Sequence, residues 1–219
     1  MALSADLTLD ELRLSLAPAV ADSAIFDGWT HEAVRVAAEI EGVDPDVAAL
    51  AYPGGAMDMI AAWFESVDAA MAAALPPERL AGMKIRARIA GLVQARLDAM
   101  LGREEALRRA LSIMAMPQNA ARSLKLGWRS ADVMWRLAGD TATDYNHYTK
   151  RALLASIYGA TVTVFVDDES EGKAETRAFL DRRIDGVMRF EKAKAQLLGS
   201  GREGFNVARF LGRLRYPAR

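Results

Sequence analysis

The chain has two histidines, His31 and His147. Neither lies in a His-Glu-x-x-His pair, and the chain has no pair of Glu-x-x-His motifs, so a di-iron site of the helical-bundle type is excluded by inventory. Asp144 and His147 are three residues apart and can share a helix face. An isolated Asp-x-x-His is better explained as a capping aspartate beside an exposed histidine than as a metal pair. Asp167, Asp168 and Glu169 form an acidic cluster in a turn, read as a solvated loop rather than a calcium site. There is no cysteine, so there is no thiolate nucleophile and no Cys-ligated metal. Walker, Gly-x-Gly-x-x-Gly and Gly-x-Ser-x-Gly loops are also missing. The inventory predicts no catalytic residue, no metal ligand set and no cofactor.

The elements that position these residues read as helices. Thr8 precedes a weak first helix. Thr30 caps a helix over about 31–41, and Asp44 caps a short one with Pro45 at its first position. After the break at Pro53-Gly54-Gly55 a helix runs from Met57 to Leu75. One amphipathic helix is expected over about 79–101, closed by Gly102. Others follow up to Pro117, over 118–138 with Trp128 and Trp135 on one face, from the Asp144 segment to about Val166, and over 174–198. "TVTVFV" (161–166) carries β-branched residues but continues a helical run. The expected fold is all-α, about ten helices. It begins with a helix-turn-helix-like module (1–75), continues as a bundle (76–198) and ends in a hinge and amphipathic helix (199–219).

Charge is distributed unevenly. Residues 1–60 hold two basic and eleven acidic residues, while the whole chain carries a net charge of −1. The front is therefore acidic and the remainder basic. DNA affinity comes mostly from Lys and Arg on phosphates. Within 30–60 only Arg35 stands against Glu32, Glu39, Glu41, Asp44, Asp46 and Asp58. The helix-turn-helix outline is thus read as scaffold, and no nucleic-acid partner is expected.

The tail has the opposite character. Val207, Phe210, Leu211 and Leu214 recur at helical spacing, with Arg209 and Arg213 opposite them. A basic amphipathic helix after Gly199-Ser200-Gly201 is suited to lying on an anionic membrane surface. The first twenty residues are acidic rather than Arg-rich, so no targeting segment is expected. The longest uncharged run, 152–166, is shorter than the roughly 18 residues a membrane span needs. The chain is expected to be cytoplasmic, touching a bacterial inner membrane peripherally. Its ten methionines are either ordinary core filling or an adaptable lining for an apolar ligand.

"LSIMAMPQN" (111–119), "VMWRLAGDTATDYNHYTKRALLASIY" (133–158) and "FLDRRIDGVMRFEKAK" (179–194) resemble the TetR-like accessory proteins of coenzyme Q (ubiquinone) biosynthesis. "FDGWT" (26–30) and "AYPGGAMDMI" (51–60) are similar to the front half of bacterial members. The resemblance implies a non-enzymatic, dimeric lipid-binding protein of TetR-like fold. It implies isoprenoid and quinone lipids as ligands, membrane contact through the C-terminal helix, and a demethoxyubiquinone hydroxylase as partner. By the same resemblance the docking patch for that hydroxylase falls on Met134, Asp144, His147 and Tyr148. Many members carry Trp where this chain has His147, whose imidazole offers less apolar contact area. Outside this family, the competing reading is a TetR-type transcriptional regulator with a lipid effector.

Overall fold

The first helix is fixed by a reciprocal cap. Glu11 N–H donates to the Thr8 hydroxyl at 3.4 Å, and Thr8 N–H donates to the Glu11 carboxylate at 2.9 Å, satisfying two otherwise orphaned donors. The helix it starts, α1 (Leu9–Asp27), is longer than the weak apolar pattern suggests. The computed structural model describes residues 7–141 and 145–199 of the chain. Ten α-helices and no strand occur among the described residues. They follow in the order α1, α2 (His31–Glu41), α3 (Pro45–Leu50), α4 (Ala56–Ala74), α5 (Pro77–Ala81), α6 (Ile85–Asp98), α7 (Glu104–Met114), α8 (Ala120–Leu137), α9 (Tyr145–Asp167) and α10 (Ala174–Gly199). The chain divides into two units, Met1–Leu180 and Asp181–Arg219.

In the first unit, α1 packs on α2 and α4, α8 on α9, and α4 on α6, α7 and α8. The two conspicuous N-terminal motifs are pieces of this packing. In "FDGWT", Gly28 ends α1 with φ +68°, a conformation that suits glycine. Trp29 then turns inward, stacks on Trp63 with centroids 5.4 Å apart, and donates from Nε1 to the Ala106 carbonyl at 2.9 Å. In "AYPGG", buried Tyr52 donates to the Arg13 carbonyl at 2.8 Å. A Cβ on Gly54 would collide with the Asp58 carboxylate, which accepts from Gly54 N–H.

The long helix expected over 79–101 is broken. Residues 82–84 separate α5 from α6. Arg88 holds the break, donating from Nε to the Met83 carbonyl at 2.9 Å and from Nη2 to the Ala81 carbonyl at 3.0 Å. The bond to Ala81 satisfies a carbonyl that α5 leaves without a helical partner, and the bond to Met83 pins the break itself. "TVTVFV" is helical, as read, because Thr161, Val162, Phe165 and Val166 continue the buried stripe of Leu154 and Tyr158 on α9.

The acidic turn after α9 also departs from expectation. Asp168 is 4% exposed rather than solvated. Its carboxylate accepts from Thr176 N–H at 2.7 Å, from the Thr176 hydroxyl at 2.6 Å and from Ser170 N–H at 2.9 Å. Burial pushes this acid up, but the bonds from Ser170 and Thr176 outweigh burial and hold it well below the usual carboxylate range. Asp168 fastens the start of α10.

Candidate functional site

The site begins where α8 ends. Gly139 has φ +90°. Its N–H donates to the Arg136 carbonyl at 3.0 Å, and Asp140 N–H donates to the Trp135 carbonyl at 2.9 Å, the paired bonds of a Schellman cap. Arg88 Nη1 reaches the Ala138 carbonyl at 2.8 Å and lies 3.2 Å from where a Cβ on Gly139 would sit. One arginine therefore closes the C-termini of both α5 and α8.

The cap directs Asp140 inward, where its side chain is 5% exposed. It accepts from Lys150 Nζ at 2.6 Å and from Arg151 Nη1 at 3.0 Å. Arg151 Nε donates to Asp132 of α8 at 2.5 Å. Trp135 Nε1 donates to the Lys150 carbonyl at 3.0 Å, and the Lys150 ammonium lies 5.4 Å from the Trp135 ring centroid. Burial raises the Asp140 pKa, but the hydrogen bonds from Lys150 and Arg151 dominate and leave it below the ordinary value. Burial acts against the Arg151 charge as well, and Asp132 and Asp140 reverse it, so its pKa is raised. Together these groups bolt the first turns of α9 to the last turns of α8.

On that base stand three rings. His147 and Tyr148 meet edge to face with centroids 5.1 Å apart, and Trp128 of α8 lies 6.0 Å from Tyr148 and 6.5 Å from His147. His147 is half-buried and Tyr148 is 61% exposed. Trp128 borders two grooves. One, of about 730 Å³, is lined by Met114, Leu124, Gly127, Ala155 and Ser156. The other, of about 460 Å³, runs past Ala61, Lys125 and Arg129. The larger groove is walled mostly by apolar and small side chains, a lining suited to an apolar guest rather than to charge chemistry.

The structure thus brings together two of the four residues expected at the patch, His147 and Tyr148. Met134 is fully buried in the first unit and offers no surface for a partner to touch. Asp144 lies outside the described residues, as do Val207, Arg209, Phe210, Leu211, Arg213 and Leu214 of the tail. Sequence reasoning placed Trp128 and Trp135 on one face, and both do meet α9. It missed Asp132, Asp140 and Arg151, where Arg151 reaches partners 11 and 19 residues away. No group of three His, Asp or Glu side chains that could hold a metal occurs among the described residues. No helix among them is long and apolar enough to cross a membrane.

The helix-turn-helix outline also gains detail. α2 and α3 form the pair, joined by residues 42–44, so α3 takes the position of a recognition helix. Its exposed side chains include Asp46, Val47 and Leu50. None of its six residues is Arg, Lys, Asn or Gln, the side chains that read base edges.

The fold is TetR-like. The chain superposes on the TetR transcriptional regulator from Nitrosomonas europaea with a TM-score of 0.64, covering 80% of this chain and 97% of that one at 21% identity. Residues 120–191, which contain the network and the rings, match the family described as COQ9. The chain is 33% identical over 181 residues to the ubiquinone biosynthesis protein COQ9, mitochondrial, of Rattus norvegicus, covering 80% of this chain and 58% of that protein. The Homo sapiens protein of the same name is 30% identical, with 80% and 57% covered. That of Schizosaccharomyces pombe is 27% identical over 188 residues, with 86% and 74% covered. These matches relate the chain to the COQ9 family. It spans less than three fifths of the length of the rat and human relatives.

Proposed function

We propose that this chain is a non-enzymatic accessory protein of ubiquinone biosynthesis, binding an isoprenoid or quinone lipid and presenting it to a membrane-associated demethoxyubiquinone hydroxylase. The observation that carries this reading is the apolar groove of about 730 Å³ bordered by Trp128, which also meets the His147 and Tyr148 rings, and lined mostly by residues of the segment that matches the COQ9 family. Burying an isoprenoid tail is favourable by about 25 cal/mol per Å² of apolar area, so holding such a lipid needs no catalytic group. His147 and Tyr148, with Asp144 beside them in sequence, supply the docking contacts. Met134 supports the patch from within the core.

Membrane contact in this reading belongs to Val207, Arg209, Phe210, Leu211, Arg213 and Leu214. The protein works as a homodimer, in the cytoplasm of a bacterium and against its inner membrane. A TetR-type regulator with a lipid effector is disfavoured by the acidic and apolar surface of α3.

The test is native mass spectrometry of protein purified from a quinone-producing host, with the co-purifying lipids extracted and identified. An isoprenoid quinone or quinone precursor bound at about one per chain supports the reading. Protein that emerges free of any isoprenoid or phospholipid overturns it.

A further inference from the structure

In a DNA-binding helix-turn-helix, the outer face of the second helix carries the residues that enter the groove. Here that face has a different chemistry. Val47 and Leu50 are three apart on α3 and are 43% and 64% exposed, and Ile40 at the end of α2 is 73% exposed. Single exposed apolar residues are ordinary; here three fall within residues 40–50, on two helices that pack on each other, among acidic side chains.

The rim is acidic and partly uncompensated. Arg35 is the one cation of α2 and α3, and it is engaged by Glu32 and Glu39. Glu41, Asp44 and Asp46 have no ion pair among the described residues. Asp44 is occupied only in capping α3, accepting from Asp46 N–H at 2.8 Å.

We infer that the outer face of α2 and α3 is a docking surface for a cationic amphipathic helix of a partner protein, with Ile40, Val47 and Leu50 meeting its apolar stripe and Glu41, Asp44 and Asp46 meeting its Lys or Arg flanks. The chemistry selects this occupant. A nucleic acid and an anionic membrane are both repelled by three uncompensated carboxylates. A neutral apolar helix would leave those carboxylates desolvated without partners. A helix with an apolar stripe and basic flanks satisfies both halves of the face, in the helix-on-surface mode by which amphipathic segments are recognised. The surface is on different elements from the Trp128, His147 and Tyr148 rings and does not depend on the lipid reading.

The experiment uses the full chain and two synthetic peptides of about sixteen residues, both with Leu at i, i+3, i+4 and i+7. One carries Arg on its remaining face and the other Glu. Fluorescence anisotropy near physiological salt should show the Arg peptide binding at least about tenfold more tightly than the Glu peptide. Val47→Ser with Leu50→Ser should weaken it several-fold. So should Glu41→Gln with Asp44→Asn and Asp46→Asn, a set that keeps a capping side chain at position 44. Amide chemical-shift changes on the unsubstituted protein should concentrate within 40–50. Variants that bind like the parent, or shift changes that gather on other helices, overturn the inference.

Discussion

Asp140 and Arg151 meet at 3.0 Å with side chains only 5% and 2% exposed, and Arg151 is shared with Asp132 of α8. Removing one partner of such an enclosed pair leaves the other charge unsatisfied, at a cost of about 3–5 kcal/mol. Arg151→Ala should therefore lower the urea unfolding midpoint by that equivalent. Arg136→Ala is the contrast. Its ion pair with Asp132 is exposed on the arginine side, at 72%, and its loss should cost less than about 1 kcal/mol.

Acid should weaken the same region. Hydrogen bonds from Lys150 and Arg151 on Asp140, and from Ser170 and Thr176 on Asp168, hold both carboxyls below the ordinary aspartate range in the folded state. A depressed acid contributes stability that is fully present above its unfolded pKa and is lost as pH falls through the folded value. Stability should thus hold from neutrality down to about pH 5 and then fall. Asp168→Asn, which cannot ionise, should flatten the acidic part of the curve in chemical denaturation followed from pH 7 to pH 3. A slope unchanged by the substitution would separate Asp168 from the acid transition.

Gly139 closes α8 with φ +90° beside Arg88. Alanine there is disfavoured by the backbone angle and by the crowded guanidinium, so Gly139→Ala should cost about 1–2 kcal/mol. Gly127 lies mid-helix, with nothing within 4 Å of an added Cβ. Gly127→Ala should stabilise by up to about 1 kcal/mol. Thermal melts of the two variants should move in opposite directions.

Tyr148 is exposed and His147 half-buried. Tyr148→Ala should change stability by about 0.5 kcal/mol or less, yet weaken binding of the proposed hydroxylase partner by about tenfold or more. His147→Trp puts a larger apolar ring at that position and should tighten that binding. Surface plasmon resonance against the proposed hydroxylase partner measures both. Unchanged affinity in both variants would remove the rings from the interface.

The core contains a second charged pair, in which Arg96 is fully buried, engages Asp68 and donates to the Tyr158 hydroxyl at 2.8 Å. Arg96→Met alone strands the Asp68 carboxylate and should cost about 3–5 kcal/mol. Adding Asp68→Leu should recover most of the loss, because an apolar pair of similar volume can replace a buried ion pair. A double-mutant cycle by urea denaturation tests this, and simple additivity of the two losses would contradict it.

Much of the helical framework is written locally. Thr30, Asp44 with Pro45, and Gly139 mark ends of α2, α3 and α8 because a cap is a bond between residues a few positions apart. Periodicity likewise carried "TVTVFV" into α9. The shape of the candidate site was not legible in this way. Whether Met134 is enclosed, whether Asp168 is a solvated acid or a cap, and whether 79–101 is one helix depend on what other elements bring to those positions. The Arg88 side chain that spans α5 and α8, and the Arg151 side chain that joins α9 to Asp132 and Asp140, are decided by packing. Sequence alone determined the helix ends that Thr30, Asp44 and Gly139 mark, since those capping bonds close within one turn. The tertiary structure decided which charges are buried and paired, because desolvation and partner geometry exist only once distant segments meet.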